Sequence, residues 1–198
     1  TRRHFSTLAG VSMTSYFAPS MAQTSRPKTA LVLGAGSARG FAHIGVIKAI
    51  EAAGIKPDLI VGASAGSVIG VFYAAGYTGQ QMEDIAMKVR DADVIDQSNN
   101  SKRGLIAGAA LQKLINTFVK DKPIESLKIP FIAIATNLKN GEAIQLRTGD
   151  TGQAVRASSS MPGIFLPTSI NGAELVDGAI SSPLPVAVAR QMGAEVVI

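Results

Sequence analysis

The segment from Lys28 to Ala63 constrains the fold more than any other part of the sequence, because it reads as strand, glycine turn, helix and strand. The apolar run KTALVLGAG ends in glycines, and a second apolar run, PDLIVGA, follows at 57–63. Between them, at 39–54, apolar residues recur three apart along one helical face until Gly54 ends the pattern. Parallel strands need a crossover connection of this kind. The pattern therefore predicts a layered α/β fold with a mainly parallel sheet and helices on both faces.

The remainder of the chain continues the same alternation. We expect further helices at 64–76, 78–92, 108–120 and 185–192, and further strands at 129–138, 141–150, 164–170, 174–176 and 193–198. With 198 residues, the soft expectation is one domain, spanning 28–198. The sequence stops inside the last strand, so we also expect that domain to be truncated at its C-terminus.

Composition excludes several classes of protein. Hydrophobic residues make up 46% of the chain and charged residues 17%, which is typical of a compact globular protein and not of a disordered one. The net charge of +5 comes from scattered lysines and arginines with few aromatics beside them, so nucleic acid is not expected as a partner. The absence of cysteine excludes disulfides, thiolate metal sites and a cysteine nucleophile.

The N-terminal segment differs from the rest. Residues 1–22 open with Arg2 and Arg3, contain no other arginine, lysine or acid, and end in a small-x-small site at Ala22. This pattern predicts an export signal of the twin-arginine type, cleaved near Ala22 and followed by a linker at 23–27, on a periplasmic or secreted protein. The alternative is a disordered or anchoring tail on a cytoplasmic or membrane-associated protein.

Ser64 stands in the pattern G-x-S-x-G, where an apolar strand runs directly into a helix. A turn this tight leaves no room for side chains beside the turning residue, so Gly62 and Gly66 would let the serine project outwards as a nucleophile. The alternative is that the two glycines only serve small-residue packing.

A serine nucleophile needs a group that accepts its proton. The chain has two histidines, His4 and His43, and neither follows Ser64, which argues against the Ser, acid, His order of α/β-hydrolases. For His43, inside the first helix, we expect a packing or hydrogen-bonding role. The best candidate partner is Asp177, which ends an apolar strand before a glycine. The alternative is that this Asp-Gly pair is only a β-turn.

The stretch LGAGSARG, at 33–40, could stabilise an oxyanion. Its glycines would free backbone N–H groups just before a helix N-terminus, where the helix dipole favours negative charge. A dinucleotide site is the rival interpretation, but the G-x-G-x-x-G pattern meets Arg39 where its last glycine should stand.

Together these elements resemble the patatin-like phospholipase family: an Arg-Gly glycine loop after the first strand, GASAG, and DGA. Three longer stretches are also similar to the bacterial branch of that family, namely LGAGSARGFAHIGVIKAIEAAGIKPDLIVGASAGS, FIAIATNLKNGEAI and ASSSMPGIFLP. The resemblance runs from about Lys28 to the end of the chain. It implies a three-layer patatin-like fold.

The resemblance also implies a function. The protein would be a hydrolase that cleaves acyl esters of lipids through an acyl-enzyme, without metal or cofactor, and with transient contact to a membrane surface. Ser64 would be the nucleophile and Asp177 the residue that orients and deprotonates it. The oxyanion would be held by the loop of Gly36, Ser37, Arg39 and Gly40, with the arginine fixing the loop.

Two departures from the family pattern leave alternatives open. The frequent Gly-Gly-Gly of the loop reads Ala35-Gly36-Ser37, and the frequent Ala-Thr-Asp-Leu reads Ala-Thr-Asn-Leu with Asn137. An acyltransferase using the same dyad is one alternative function. A regulatory lipid-binding module without turnover is the other.

Overall fold

The computed structural model describes residues 26–99 and 102–198. The predicted export signal at 1–22 and most of the predicted linker at 23–27 lie outside the described residues. The strands are β1 (Thr29–Leu33), β2 (Leu59–Ala63), β3 (Gly104–Ile106), β4 (Phe131–Asn137), β5 (Ala143–Leu146), β6 (Gly163–Phe165), β7 (Thr168–Ile170), β8 (Ala173–Asp177) and β9 (Val196–Val197). The helices are α1 (Ala42–Ala52), α2 (Ala65–Ala75), α3 (Gly79–Ala86), α4 (Asp91–Val94), α5 (Ala109–Val119), α6 (Thr151–Ser158) and α7 (Val186–Gln191), with 3-10 turns at Ser37–Phe41 and Ile124–Ser126.

The main sheet has seven strands, in the order β7-β8-β4-β2-β1-β9 with β5 also pairing β4. The four strands β4, β2, β1 and β9 pair in parallel, and the antiparallel pairs all lie on the β4 side of the sheet. The predicted α/β fold with a mainly parallel central sheet is confirmed. A separate parallel pair joins β3 to β6.

Helices cover both faces of the sheet, because successive strand residues point to opposite sides. Leu31 and Leu33 of β1 belong to the larger core, which includes side chains of α1, α2, α3, α5 and α6. Ala30 and Val32 belong to a smaller core that is closed by Val188 and its neighbours in α7. Every residue of β1 and β2 is buried, as expected for central strands with layers on both sides.

Two strands share one edge of β4. Ala133 pairs with β5 and with Gly62 of β2, while Ala135 pairs with β5 and with Asp177 of β8. Since a strand has only two edges, β5 occupies one of them, and β2 and β8 follow each other along the other. The end of β8 is thereby placed against the end of β2, where Ala63 is the last strand residue.

The structure also differs from the expectations in places. Helix α3 ends at Ala86, whereas the pattern predicted helix to residue 92. Helix α6 was not expected; it is capped by Asp150, whose side chain accepts a hydrogen bond from the backbone N–H of Gln153. In the described part of the chain, no helix has both the length and the apolar character needed to cross a membrane.

Candidate active site

Ser64 lies at the sharp turn between β2 and α2. Its backbone angles are φ 52° and ψ −123°, a conformation that costs a non-glycine residue of the order of 1–3 kcal/mol. Both flanking glycines are required sterically. A Cβ on Gly62 would lie 2.6 Å from the carbonyl oxygen of Gly66, and a Cβ on Gly66 would overlap the carbonyl group of Leu33. The glycine pattern therefore reflects a tight turn that presents the serine at the helix N-terminus.

Asp177 is the hydrogen-bond partner of this serine. The Ser64 hydroxyl donates to Oδ2 of Asp177 at 2.7 Å, and the backbone N–H of Ala179 donates to Oδ1 at 2.8 Å. Ser64 is 8% exposed and Asp177 is 1% exposed. Burial raises the pKa of the Asp177 carboxyl above its usual value, although both hydrogen bonds act in the opposite direction. The result is a carboxylate that is more basic than an ordinary aspartate.

The backbone of Asp177 is held on both sides. Its N–H donates to the carbonyl of Ser160 at 2.9 Å, and its carbonyl accepts from the Thr136 hydroxyl at 2.8 Å. The carbonyl also accepts from the N–H of Ile180 at 3.3 Å, so the residue starts a β-turn as well. The Asp-Gly pair therefore forms a β-turn and also places a carboxylate against the Ser64 hydroxyl. A Cβ on Gly178 would overlap the carbonyl of Ile134, so this position needs glycine.

Ser158 is a positioning residue that the sequence analysis missed. It ends α6 and is fully buried. Its hydroxyl donates to the carbonyl of Ile134 at 2.6 Å and accepts the backbone N–H of Ser64 at 3.0 Å. The backbone carbonyl of Ser158 accepts the N–H of Gly178 at 3.1 Å. One residue thus links the turn of the serine to the strand end that carries the aspartate.

The glycine-rich loop forms a 3-10 turn beside Ser64. Gly40 packs so closely on Ala65 that a Cβ would overlap the alanine methyl group. Gly36 is extended at φ −177°, whereas Ser37 has φ 51°, in the left-handed region that favours glycine. The family's usual glycine would therefore suit the position of Ser37.

Only some of the backbone N–H groups of this loop are free to bind an oxyanion. Among the described residues, the N–H groups of Gly36, Ser37 and Ala38 have no hydrogen-bond acceptor. The N–H of Arg39 instead donates to the carbonyl of Gly36 at 3.0 Å, so this N–H is not available to an oxyanion. The Arg39 guanidinium is exposed and, within the described part of the chain, forms no hydrogen bond or ion pair through which it could fix the loop.

A cavity of about 360 Å³ opens above Ser64. The loop residues Ser37 and Ala38 lie on its wall together with Asp177. Its remaining lining is mainly apolar and consists of Gly40, Phe41, Ala65, Val68, Ile69, Val94, Leu111, Ser159, Met161, Ile164 and Phe165. We call this cavity the Ser64 chamber. Its mixture of an apolar wall with a few convergent polar groups is typical of a ligand-binding site.

The two residues set aside in the sequence analysis have structural roles. The Nε2 atom of His43 contacts the carbonyl oxygen of Gly34 at 2.9 Å, which is the hydrogen-bonding role that we expected. The side chain of Asn137 accepts the backbone N–H of Lys139 at 2.9 Å in the turn after β4. Across residues 26–99 and 102–198, no group of three or more His, Asp or Glu side chains is arranged to hold a metal ion.

Comparisons with known proteins show which family the chain resembles. The family model described as "Patatin-like phospholipase" matches residues 31–190. An uncharacterized NTE family protein of Mycobacterium tuberculosis is 34% identical over 181 residues, which cover 88% of this chain and 49% of that protein. The human patatin-like phospholipase domain-containing protein 6 is 36% identical over 177 residues, covering 85% of this chain and 13% of that protein.

The chain therefore spans about half of the mycobacterial relative and a small part of the human one. Among solved structures, VipD from Legionella pneumophila is similar with a TM-score of 0.51, at 13% sequence identity, over 79% of this chain and 46% of that chain. At this identity the likeness shows a common fold and nothing further.

Proposed function

The chain belongs to the patatin-like phospholipase family, and from that premise we propose that it is a serine hydrolase that cleaves acyl ester bonds of lipids, with Ser64 and Asp177 as its dyad. The observation that carries the proposal is the 2.7 Å hydrogen bond from the Ser64 hydroxyl to Asp177 at the wall of an apolar chamber. Nucleophile and base within hydrogen-bond distance are the arrangement that covalent catalysis requires.

The buried carboxylate fits the role of base. A carboxylate is ordinarily a weaker base than imidazole, which makes it a poor acceptor for a serine proton. Burial raises the pKa of Asp177 and so brings its base strength closer to that of imidazole. The hydrogen bond from Ala179 to the second carboxylate oxygen holds the base in orientation, as a third group does in catalytic triads.

Acylation is the first half of the proposed cycle. The Ser64 oxygen attacks the ester carbonyl carbon while its proton passes to Asp177. The oxyanion accepts hydrogen bonds from the unpaired N–H groups of Ser37 and Ala38, two residues that line the same chamber. When the tetrahedral intermediate collapses, the bond to the alcohol breaks, Asp177 returns the proton to the leaving alkoxide, and an acyl-serine remains.

Deacylation repeats these steps with water. Asp177, again a carboxylate, accepts a proton from water while the water oxygen attacks the acyl carbon of Ser64. The second tetrahedral intermediate releases the carboxylic acid, and the proton returns to the serine oxygen. If an alcohol replaces water at this step, the same dyad acts as an acyltransferase.

The proposal is tested by labelling with a fluorophosphonate probe together with hydrolysis of p-nitrophenyl butyrate. We compare the wild type with Ser64→Ala and Asp177→Asn after circular dichroism has shown that all three are folded. We expect labelling and turnover in the wild type, loss of both in Ser64→Ala and a large decrease of both in Asp177→Asn. A folded wild type that neither labels nor turns over would favour the lipid-binding module. Product analysis with added glycerol separates hydrolysis from acyl transfer.

We also propose that the chamber mouth contacts the lipid surface from which the substrate comes. Three large apolar side chains on its wall are exposed: Phe41 by 58%, Ile164 by 48% and Met161 by 37%. Apolar groups grouped around an opening favour contact with a lipid surface. Sedimentation with phosphatidylcholine vesicles tests the proposal, and Ile164→Lys should lower the bound fraction. An equal bound fraction in both proteins contradicts the proposal.

A further inference from the structure

A second apolar recess lies next to the Ser64 chamber, between α1 and α3. Its volume is about 490 Å³, and Phe41 lines both this recess and the chamber. On the α1 side its wall continues with Ile44 and Gly45, and on the α3 side with Ala86 and Met87. We call this recess the α1–α3 groove. Phe41 is therefore the residue at which the wall of the chamber and the wall of the groove meet.

The groove runs away from the chamber and becomes polar only at its far end. From Phe41 to Lys48 the chain advances seven residues, which is about 10 Å along a helix. Lys48 forms an ion pair with Glu83 at 2.8 Å across the groove. Between the chamber and this ion pair, the lining has no charged side chain.

The groove is open at Gly45, which has no side chain to fill it. A Cβ on Gly45 would meet nothing within 4 Å. Ile44, at 6% exposure, forms part of the floor, while Phe41 is 58% exposed and Met87 is 84% exposed. Two large apolar side chains are thus held in water on either side of an unfilled apolar recess. An exposed apolar surface of this kind is typical of a site that an apolar group covers.

We propose that the α1–α3 groove binds the distal methylenes of a long acyl chain whose ester carbonyl lies at Ser64. The inference rests on the proposed hydrolase function and adds the place where the far end of the acyl chain would lie. An acyl chain that leaves the chamber past Phe41 meets an apolar channel about two helical turns long. It needs no hydrogen-bond partner there, and the lining offers charged groups only at the Lys48 end.

The test fills the groove and measures chain-length preference. Gly45→Leu adds a branched side chain to the groove at a position where a Cβ would meet nothing within 4 Å. Ala53→Leu adds the same side chain at the exposed C-terminal end of α1, outside the groove, and is the matched control. For each full-length protein we measure kcat and KM with p-nitrophenyl butyrate and p-nitrophenyl palmitate, both below the concentration at which they aggregate.

Each methylene that loses a buried site weakens binding about fourfold, so displacing two or more methylenes has a measurable effect. We expect the ratio of kcat/KM for palmitate to that for butyrate to fall at least tenfold in Gly45→Leu, mainly through the KM for palmitate. In Ala53→Leu the ratio should equal that of the wild type. Met87→Lys, at a side chain that is 84% exposed, is a second variant that keeps the fold and should lower the same ratio.

Three results would overturn the inference, and they can be told apart. Ratios in Gly45→Leu and Met87→Lys equal to the control would refute the groove and leave Ser64-dependent hydrolysis intact. A defect that occurs only with palmitate in vesicles, and not with the dissolved ester, would make the groove a lipid-surface contact. Absence of Ser64-dependent turnover of both esters in the wild type would refute the proposed function itself.

Discussion

The tightness of the turn at Ser64 predicts opposite effects for one substitution at two helical glycines. Gly66→Ala and Gly45→Ala both replace glycine by alanine inside a helix, where the exchange alone stabilises by about 1 kcal/mol. At Gly45 the new methyl group meets nothing within 4 Å. At Gly66 it would overlap the carbonyl of Leu33 and lie 2.7 Å from the carbonyl oxygen of Gly34. The two positions therefore differ in their surroundings and not in their secondary structure.

The magnitude follows from the kind of neighbour. Backbone atoms of β1 cannot rotate away as a side chain can, and β1 is held in the sheet by β2 and β9. The overlap of the new methyl group with β1 can be relieved only if α2 moves. Overpacking of this kind costs about 3 kcal/mol or more. For a domain of this size, 1 kcal/mol shifts Tm by about 2–4 °C. After subtraction of the helical gain of about 1 kcal/mol, we expect Gly66→Ala to lower Tm by about 4–8 °C or more and Gly45→Ala to raise it by about 2–4 °C.

Thermal unfolding followed by circular dichroism measures both shifts, and fluorophosphonate labelling reports the site at a temperature where both variants are folded. Movement of α2 carries Ser64 away from Asp177, so Gly66→Ala should also label more slowly. If the Tm of Gly66→Ala lies within 2 °C of the Tm of Gly45→Ala, α2 does not approach β1 as closely as described. The steric reason given for the G-x-S-x-G pattern is then wrong as well.

Four further predictions follow. Ser158→Ala leaves the buried N–H of Ser64 without an acceptor and should cost about 1–3 kcal/mol of stability, with kcat falling more than KM changes. Urea denaturation and ester kinetics measure this, and a variant as stable and as active as the wild type contradicts it. Because burial raises the pKa of Asp177, ionisation of this group opposes folding as pH rises above 3.8, so Asp177→Asn should gain stability relative to the wild type with rising pH. Wild-type activity should rise over the same range. Curves of stability against pH that run parallel for the two proteins contradict this. Ser37→Gly relieves a left-handed backbone and should raise Tm by about 2–4 °C, whereas Ser37→Ala should not, as thermal unfolding of both will show. Replacing Arg2 and Arg3 by lysine should reduce export of the full chain, measured as the fraction outside the cytoplasm, and an unchanged fraction refutes the twin-arginine prediction.

The parts of the fold that the sequence predicts well are local. Strand β1, the first helix and β2 follow each other within 35 residues, and each has the apolar periodicity of its element. Helix α6 was missed because its burial against α5 and β4 is a tertiary effect, and its own apolar pattern is short. Its cap was a usable signal, since Asp150 precedes Gln153 by three residues, as in an N-terminal capping pattern.

The candidate site also has a local part that the sequence predicts and a tertiary part that it does not predict. Ser64 was predictable because its flanking glycines are adjacent in sequence and the turn that needs them is local. Ser158 was not predictable, because its hydroxyl acts on a backbone N–H that is 94 residues away along the chain. Nothing in the run of serines before Pro162 distinguishes the one that accepts the Ser64 N–H from its neighbours.

The meeting of Ser64 with Asp177 is a consequence of strand order, which a single sequence does not reveal. Strand β2 pairs with β4 as far as Ile134 and then turns away at the serine, which leaves the next stretch of that edge unpaired. Strand β8 approaches from the opposite direction and takes that stretch, so its last residue stops where β2 ended. The antiparallel strand β8 thus places a carboxylate at the C-terminal end of the parallel strand β2, which is where ligand sites of such sheets lie. Moving β8 by one residue along β4 would turn Asp177 to the other face of the sheet, away from the serine. The register of β8 on β4 is therefore the structural condition for the hydrogen bond between Ser64 and Asp177.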